Sequence, residues 1–169
     1  MARNGEIVWD GRFFQLWHHQ YSADGKTIAA IVAPKYGQQT VAVNDKPWRR
    51  TFNNLVTDLV VSPDGKRAAC AARSDGQWAI AEDGKCWDEA FDMAWAPVFS
   101  PDSRHIASKV EKNGRFYIFI DGKPIKYNFE AAWNPVFSPD GDKLLVKGIG
   151  GENKGQYYRY VFKLSELLV

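Results

Sequence analysis

Three histidines, two cysteines and four regularly spaced aspartates are the residues of this 169-residue chain whose types could do chemistry. His18 and His19 are neighbours. On a strand they would point to opposite faces, so the pair is not expected to chelate one metal. His105 sits at the turn end of an expected strand, where a polar residue is ordinary. Cys70 and Cys86 form no C-x-x-C, zinc or haem-attachment spacing. Cys70 falls in a slot that other copies of a repeat fill with Ala30, Ser108 and Val146, so it reads as a small core residue. Cys86 falls in the slot of Pro47 and Pro124, beside a turn. No nucleophile elbow, H-E-x-x-H, glycine-rich phosphate loop or EF-hand loop occurs, and "DGDK" at 140–143 lacks the spaced ligands and distal Glu that calcium needs. The expectation is a chain with no catalytic residue, no metal and no cofactor.

Aromatic residues are the other candidates. Seven Trp, seven Tyr and ten Phe make up 14% of the chain. Trp95 and Trp133 each stand one residue short of a proline, in "WAPVFSPD" and "WNPVFSPD". Trp buries much area at little entropic cost and is enriched where proteins meet. The candidate partner-binding residues are therefore Trp95 and Trp133, with Asn134 beside the second, then Trp17 and Trp9 nearer the N-terminus. Packing between repeats is the competing role for all of them.

Positioning these residues requires a framework, and the sequence repeats. The aspartates of "SADG", "SPDG", "SPDS" and "SPDG" fall at 24, 64, 102 and 140, at intervals of 40, 38 and 38. A second marker precedes three of them: "VNDKPW" at 43–48, "EDGKCW" at 82–87 and "IDGKPI" at 120–125. "WDGRFF" at 9–14 reads as a fourth copy whose gap to Asp24 is five residues short. Phe52, Phe91 and Phe129 each follow four residues after the Trp48, Trp87 and Ile125 position. In "SPDG", Pro presets φ and Gly accepts an awkward backbone, so it is a tight turn. Small and apolar second strands follow at 27–33, 67–73, 105–111 and 143–148, as expected of strands buried on both faces. Third strands then enter Asp-Gly-type hairpins, the type I′ signal.

Four four-stranded antiparallel units of about 38–40 residues, with no helical pattern, predict an all-β chain of β-propeller type. Repeats start near 21, 58, 96 and 134 within one domain of residues 1–169, after irregular N-terminal strands over 1–20. "EIVW" at 6–9 reads as a surplus third strand and "RFFQLW" at 12–17 as a fourth strand. Either the chain is part of a longer propeller, or two chains complete a larger ring, or the N-terminal strand is an irregular edge cover. An open sheet edge invites pairing, so self-association and completion by dimerisation are expected.

Charge narrows the partners. Twenty-two basic against twenty acidic residues, without like-charge runs, leave no footprint for nucleic acid or an anionic membrane surface. The opening "MARNGEIVWDG" lacks the apolar stretch of a signal peptide or anchor, and no run approaches the roughly 18 residues a spanning helix needs. A cytoplasmic location is expected.

The longer phrases "DGKxW…F" and "WxPVFSPDG", with the closing "QYYRYVFKLSELL", resemble the tryptophan-rich WD40-like repeat proteins that form the D subunit of the Tmc transmembrane electron-transfer complex in sulfate-reducing bacteria. The likeness runs from Tyr21 to about Leu168, with Ile125 in place of the expected Trp and Asp45 in place of the usual Gly. It implies a non-catalytic interaction or scaffold module with protein partners, associated with a membrane redox complex and peripheral to the inner membrane. It carries no site residue. The alternative is an enzyme or small-ligand binder using the axial pocket of the propeller, with Trp95, Trp133 and Asn134 as contacts.

Overall fold

The computed structural model describes residues 2–3 and 5–167, and within them the four-unit pattern is realised. Unit I comprises Gln15–Tyr21, Ile28–Lys35, Gln38–Val43 and Lys46–Pro47, in that spatial order. Unit II comprises Leu55–Val61, Ala68–Ser74, Gln77–Glu82 and Lys85–Cys86. Unit III has its first strand in two pieces, Met93–Ala94 and Val98–Phe99, before Ile106–Lys112, Arg115–Ile120 and Lys123–Ala132. Unit IV comprises Val136–Phe137, Lys143–Gly150 and Tyr157–Lys163, after which the chain turns into the short helix Leu164–Leu167. Lys123–Ala132 pairs with both its own third strand and the second strand of unit IV, joining units III and IV in one sheet.

Every "SPDG"-type turn is built alike. Ser22, Ser62, Ser100 and Ser138 each donate their hydroxyl to the aspartate two residues on, at 2.5 to 2.7 Å. Each hydroxyl also accepts the amide five residues on, from Thr27, Arg67, His105 and Lys143. Each aspartate accepts the amide two residues further along. These bonds satisfy polar groups that a tight turn would otherwise leave unpaired. The hydrogen bonds hold all four carboxyls below the ordinary aspartate value, the serine hydroxyl being the largest cause in each case.

The hairpins into the fourth strands are type I′. Asp83 and Asp121 have φ of 46° and 50°, each followed by a glycine at positive φ. At 44–45 the chain adopts the same turn without glycine, with Asn44 at 46° and Asp45 at 68°. Asn and Asp are the non-glycine residues that best tolerate this region. The Asn44, Asp83 and Asp121 side chains then accept the amides of Ile28, Ala68 and Ile106, tying each turn back to its second strand.

Burial of the second strands falls along the chain. Ile28 to Ala33 and Ala68 to Ala72 are buried without a break, whereas Lys143–Gly150 alternates between buried and more exposed positions. The difference follows from packing. Units I, II and III are each covered by the unit after them, and unit IV by none among the described residues.

Two N-terminal readings are corrected. Glu6–Ile7 pairs with Ala2–Arg3 and is no surplus third strand. Gln15, Leu16 and Trp17 belong to the first strand of unit I, paired with Ala33, Val32 and Ile31, so a fourth strand does not extend over 15–17 and Trp17 lies in regular structure. His18 and His19 occupy a β-bulge opposite Ala30, with His18 at φ 51°, and so do not alternate as in a regular strand. The "WDG" at 9–11 is no turn of the repeat either. Asp10 and Gly11 lack positive φ, and their amides bind the Asp45 carboxylate instead.

Candidate interaction face

With the bulges aligned, the first strands superimpose residue for residue. Trp17, Thr57, Trp95 and Trp133 occupy one position, each five residues before the turn serine. The first strands of units I and II, and of units II and III, also touch one another, so in these units the position repeats along one side of the stack.

Environment then separates the candidates. Trp17 packs into the core between units I and II, beside Ile31 and Val56. Trp95 is half-buried, with its ring 5.7 Å from that of Phe116 and the Lys109 ammonium 4.0 Å over its face. Burial lowers the Lys109 pKa, as expected for an ammonium held against aromatic rings. Trp9 is 3% exposed, packed on Ile28, Ala30, Val32 and Ala42, and so is a core residue with no open face. Trp133 is 45% exposed and meets Tyr157 edge-on, and Asn134 beside it is exposed. The sequence placed Trp9, Trp17, Trp95, Trp133 and Asn134 in one class. Only Trp133 and Asn134 lie open.

Around Trp133 the pairing of unit IV defines an ordered face. Val136, Leu145 and Val161 form one row across the strands, Trp133, Lys147 and Arg159 the next, and Ala131, Ile149 and Tyr157 the third. Val136, Tyr157 and Val161 are each at least half exposed. The central third-strand position is fully buried as Val41, Ile80 and Ile118 in units I to III, where the next unit covers it. In unit IV it is Arg159, exposed, beside Lys147. An apolar patch centred on a Trp, a Tyr and two cations is the composition of a protein-binding surface. The Trp-Pro spacing identified Trp133 in the sequence; Tyr157, Arg159 and Val161 carried no signal until the repeat was aligned strand by strand.

Other sites offer less. Burial pushes the Cys70 thiol well up and also raises that of Cys86, which disfavours the thiolate in both. Among the described residues no three His, Cys, Asp or Glu side chains converge to hold a metal ion. A cavity of about 460 Å³ lies at the turn end of units III and IV, lined by Arg104, His105, Lys143 and Lys163 among others, and by none of the candidate tryptophans. Three of its basic groups are engaged: Arg104 with Asp102, His105 with Asp121 and Lys163 with Glu166.

Comparison with solved structures places this geometry. The chain superposes on TolB from Acinetobacter baumannii with a TM-score of 0.55 at 16% identity, over 95% of this chain and 43% of that one. It superposes on the β-propeller domain of the Trilobed protease from Pyrococcus furiosus with a TM-score of 0.54 at 18% identity, over 89% and 53%. A protein assigned as TolB from Agrobacterium tumefaciens gives 0.53 at 20% identity, over 95% and 70%. The chain has a β-propeller fold. Its four units are blades, and it spans about half the length of the first two structures. No protein-family model matches the chain, and no curated protein matches it in sequence. No helix among the described residues is long and apolar enough to cross a membrane.

Proposed function

We propose that the protein is a non-catalytic interaction module, a set of propeller blades that presents the terminal face of blade IV to protein partners. The observation that carries this reading is Arg159, exposed at the position that blades I to III bury as Val41, Ile80 and Ile118, in a row with exposed Trp133 and half-buried Lys147 and flanked by exposed Val136, Tyr157 and Val161. Partners include a second copy of the chain and subunits of a membrane-bound electron-transfer complex, at whose cytoplasmic side the protein acts as a peripheral scaffold. Support for the redox partner is the sequence resemblance of the "WxPVFSPDG" phrases. Support for a binding rather than a chemical role is the engagement of Arg104, His105 and Lys163 at the turn-end cavity and the burial of Cys70.

The test is retention of partners from detergent-solubilised membranes of the native cell on the immobilised chain. Wild type is expected to retain haem-bearing redox subunits, and Trp133→Ala to retain about tenfold less, as for an aromatic anchor at an interface. Equal retention by both proteins, or none by either, would remove this reading.

A further inference from the structure

Two parts of the chain are complementary halves of one blade. Trp9, Phe13 and Trp17 stand at i, i+4 and i+8, as do Trp87, Phe91 and Trp95, and Ile125, Phe129 and Trp133. In the second and third sets the first two residues lie in the fourth-strand segment of the preceding blade. Phe91 bridges Trp78 and Phe129 pairs with Phe116, both on third strands. Phe13 holds the same place in the repeat. The side chains agree with this assignment: Trp9, Phe13 and Leu16 cover Ile28, Ala30, Val32 and Ala42 of blade I, as Phe52 and Trp48 cover Ala68, Cys70, Ala72 and Ala81 of blade II. Residues 8–14 thus have the aromatic spacing and packing of a fourth-strand segment.

Blade IV has no such segment among the described residues. Among the described residues its third strand, Tyr157–Lys163, pairs on one side only, with Lys143–Gly150. Its outer face carries Lys147 and Arg159.

We infer that residues 8–14 of a second copy add to the free edge of Tyr157–Lys163 as the fourth strand of blade IV, with Phe13 opposite Tyr157. The register follows from the repeat, since Tyr157 corresponds to Gln39, Trp78 and Phe116, the partners of Phe52, Phe91 and Phe129. Blade I of the second copy then stacks on blade IV of the first, and its Trp9 and Phe13 lie between them. The contact is head-to-tail. It closes with two copies, because about eight blades lie within the range of known propellers and twelve do not. This inference rests on the reading of the blade IV face as an interaction surface and names one of its occupants.

A double variant tests the register. Phe14 and Gln156 are both exposed and would face each other across the new strand pair, one position beyond Phe13 and Tyr157. Under mild oxidation, Phe14→Cys/Gln156→Cys is expected to give disulfide-linked dimers on a non-reducing gel. Wild type, with Cys70 buried and Cys86 half-buried, and each single variant are expected to give none. Absence of the cross-link in a protein that folds with the wild-type circular dichroism spectrum overturns the inference, whether its mass is that of a monomer or of a dimer joined elsewhere. The Trp133-dependent retention of membrane subunits is read separately, so either idea can fail alone.

Discussion

Ser100 shows how a residue fixes this fold. Its hydroxyl is fully buried, donates to Asp102 and accepts the His105 amide. Ser100→Ala removes both bonds and leaves the carboxylate and the amide without their partner, so a loss of about 1–3 kcal/mol is expected in thermal or urea unfolding at neutral pH. Acid gives a second readout. The native Asp102 pKa is depressed, so its contribution to stability is full above the unfolded aspartate value near 4 and is lost as pH falls through the native value. Wild type should therefore lose more stability than Ser100→Ala between neutral pH and pH 3. The four "SPD" aspartates were legible from the sequence in position and in role. The N-terminal copy of the other marker was misplaced because Asp10–Gly11 imitates an Asp-Gly hairpin. The backbone conformation and the Asp45 contact show that Trp9 and Phe13, and not Asp10, are the repeated feature.

At the scale of elements, blades differ in what their second strands tolerate. Gly148 stands where blades I to III have Val32, Ala72 and Val110, and the Phe129 ring lies directly on it. A Cβ there would meet three ring atoms at 2.3 to 2.8 Å, and Phe129 is fully buried with little room to move. Gly148→Ala should destabilise by about 1–3 kcal/mol, the cost of overpacking, despite removing a glycine from a strand. Calorimetry of the variant decides the sign. Strand periodicity showed that the second strands are core. It could not show that blade IV packs a phenylalanine onto a glycine, because that contact joins residues from different blades. Neighbouring blades are also stapled at their turns. Arg67 bonds Glu82 of its own blade at 2.7 Å and the carbonyls of Ser103 and Arg104 of the next at 2.7 and 2.9 Å, and lies over the Phe99 ring. Thr27 makes the corresponding contact from blade I to the Gly65 carbonyl.

At the scale of the whole molecule, blade IV differs from the others in leaving one face open among the described residues. Units I to III bury the central third-strand position as Val41, Ile80 and Ile118, and blade IV exposes it as Arg159. The sequence announced four repeats and one Trp-Pro anchor at Trp133. That Arg159 falls where the other blades have Val41, Ile80 and Ile118 becomes visible only once the third strands are aligned through their pairing. In the proposed dimer this face and the N-terminal segment complete one another between copies. Light scattering on a sizing column tests it most directly, with wild type beside Val161→Asp, a change at a position 62% exposed on that face. Wild type is expected at about 38 kDa, twice the 19.1-kDa chain, and the variant as a folded 19.1-kDa monomer. Wild type at 19.1 kDa, or a dimer that Val161→Asp leaves intact, would contradict it.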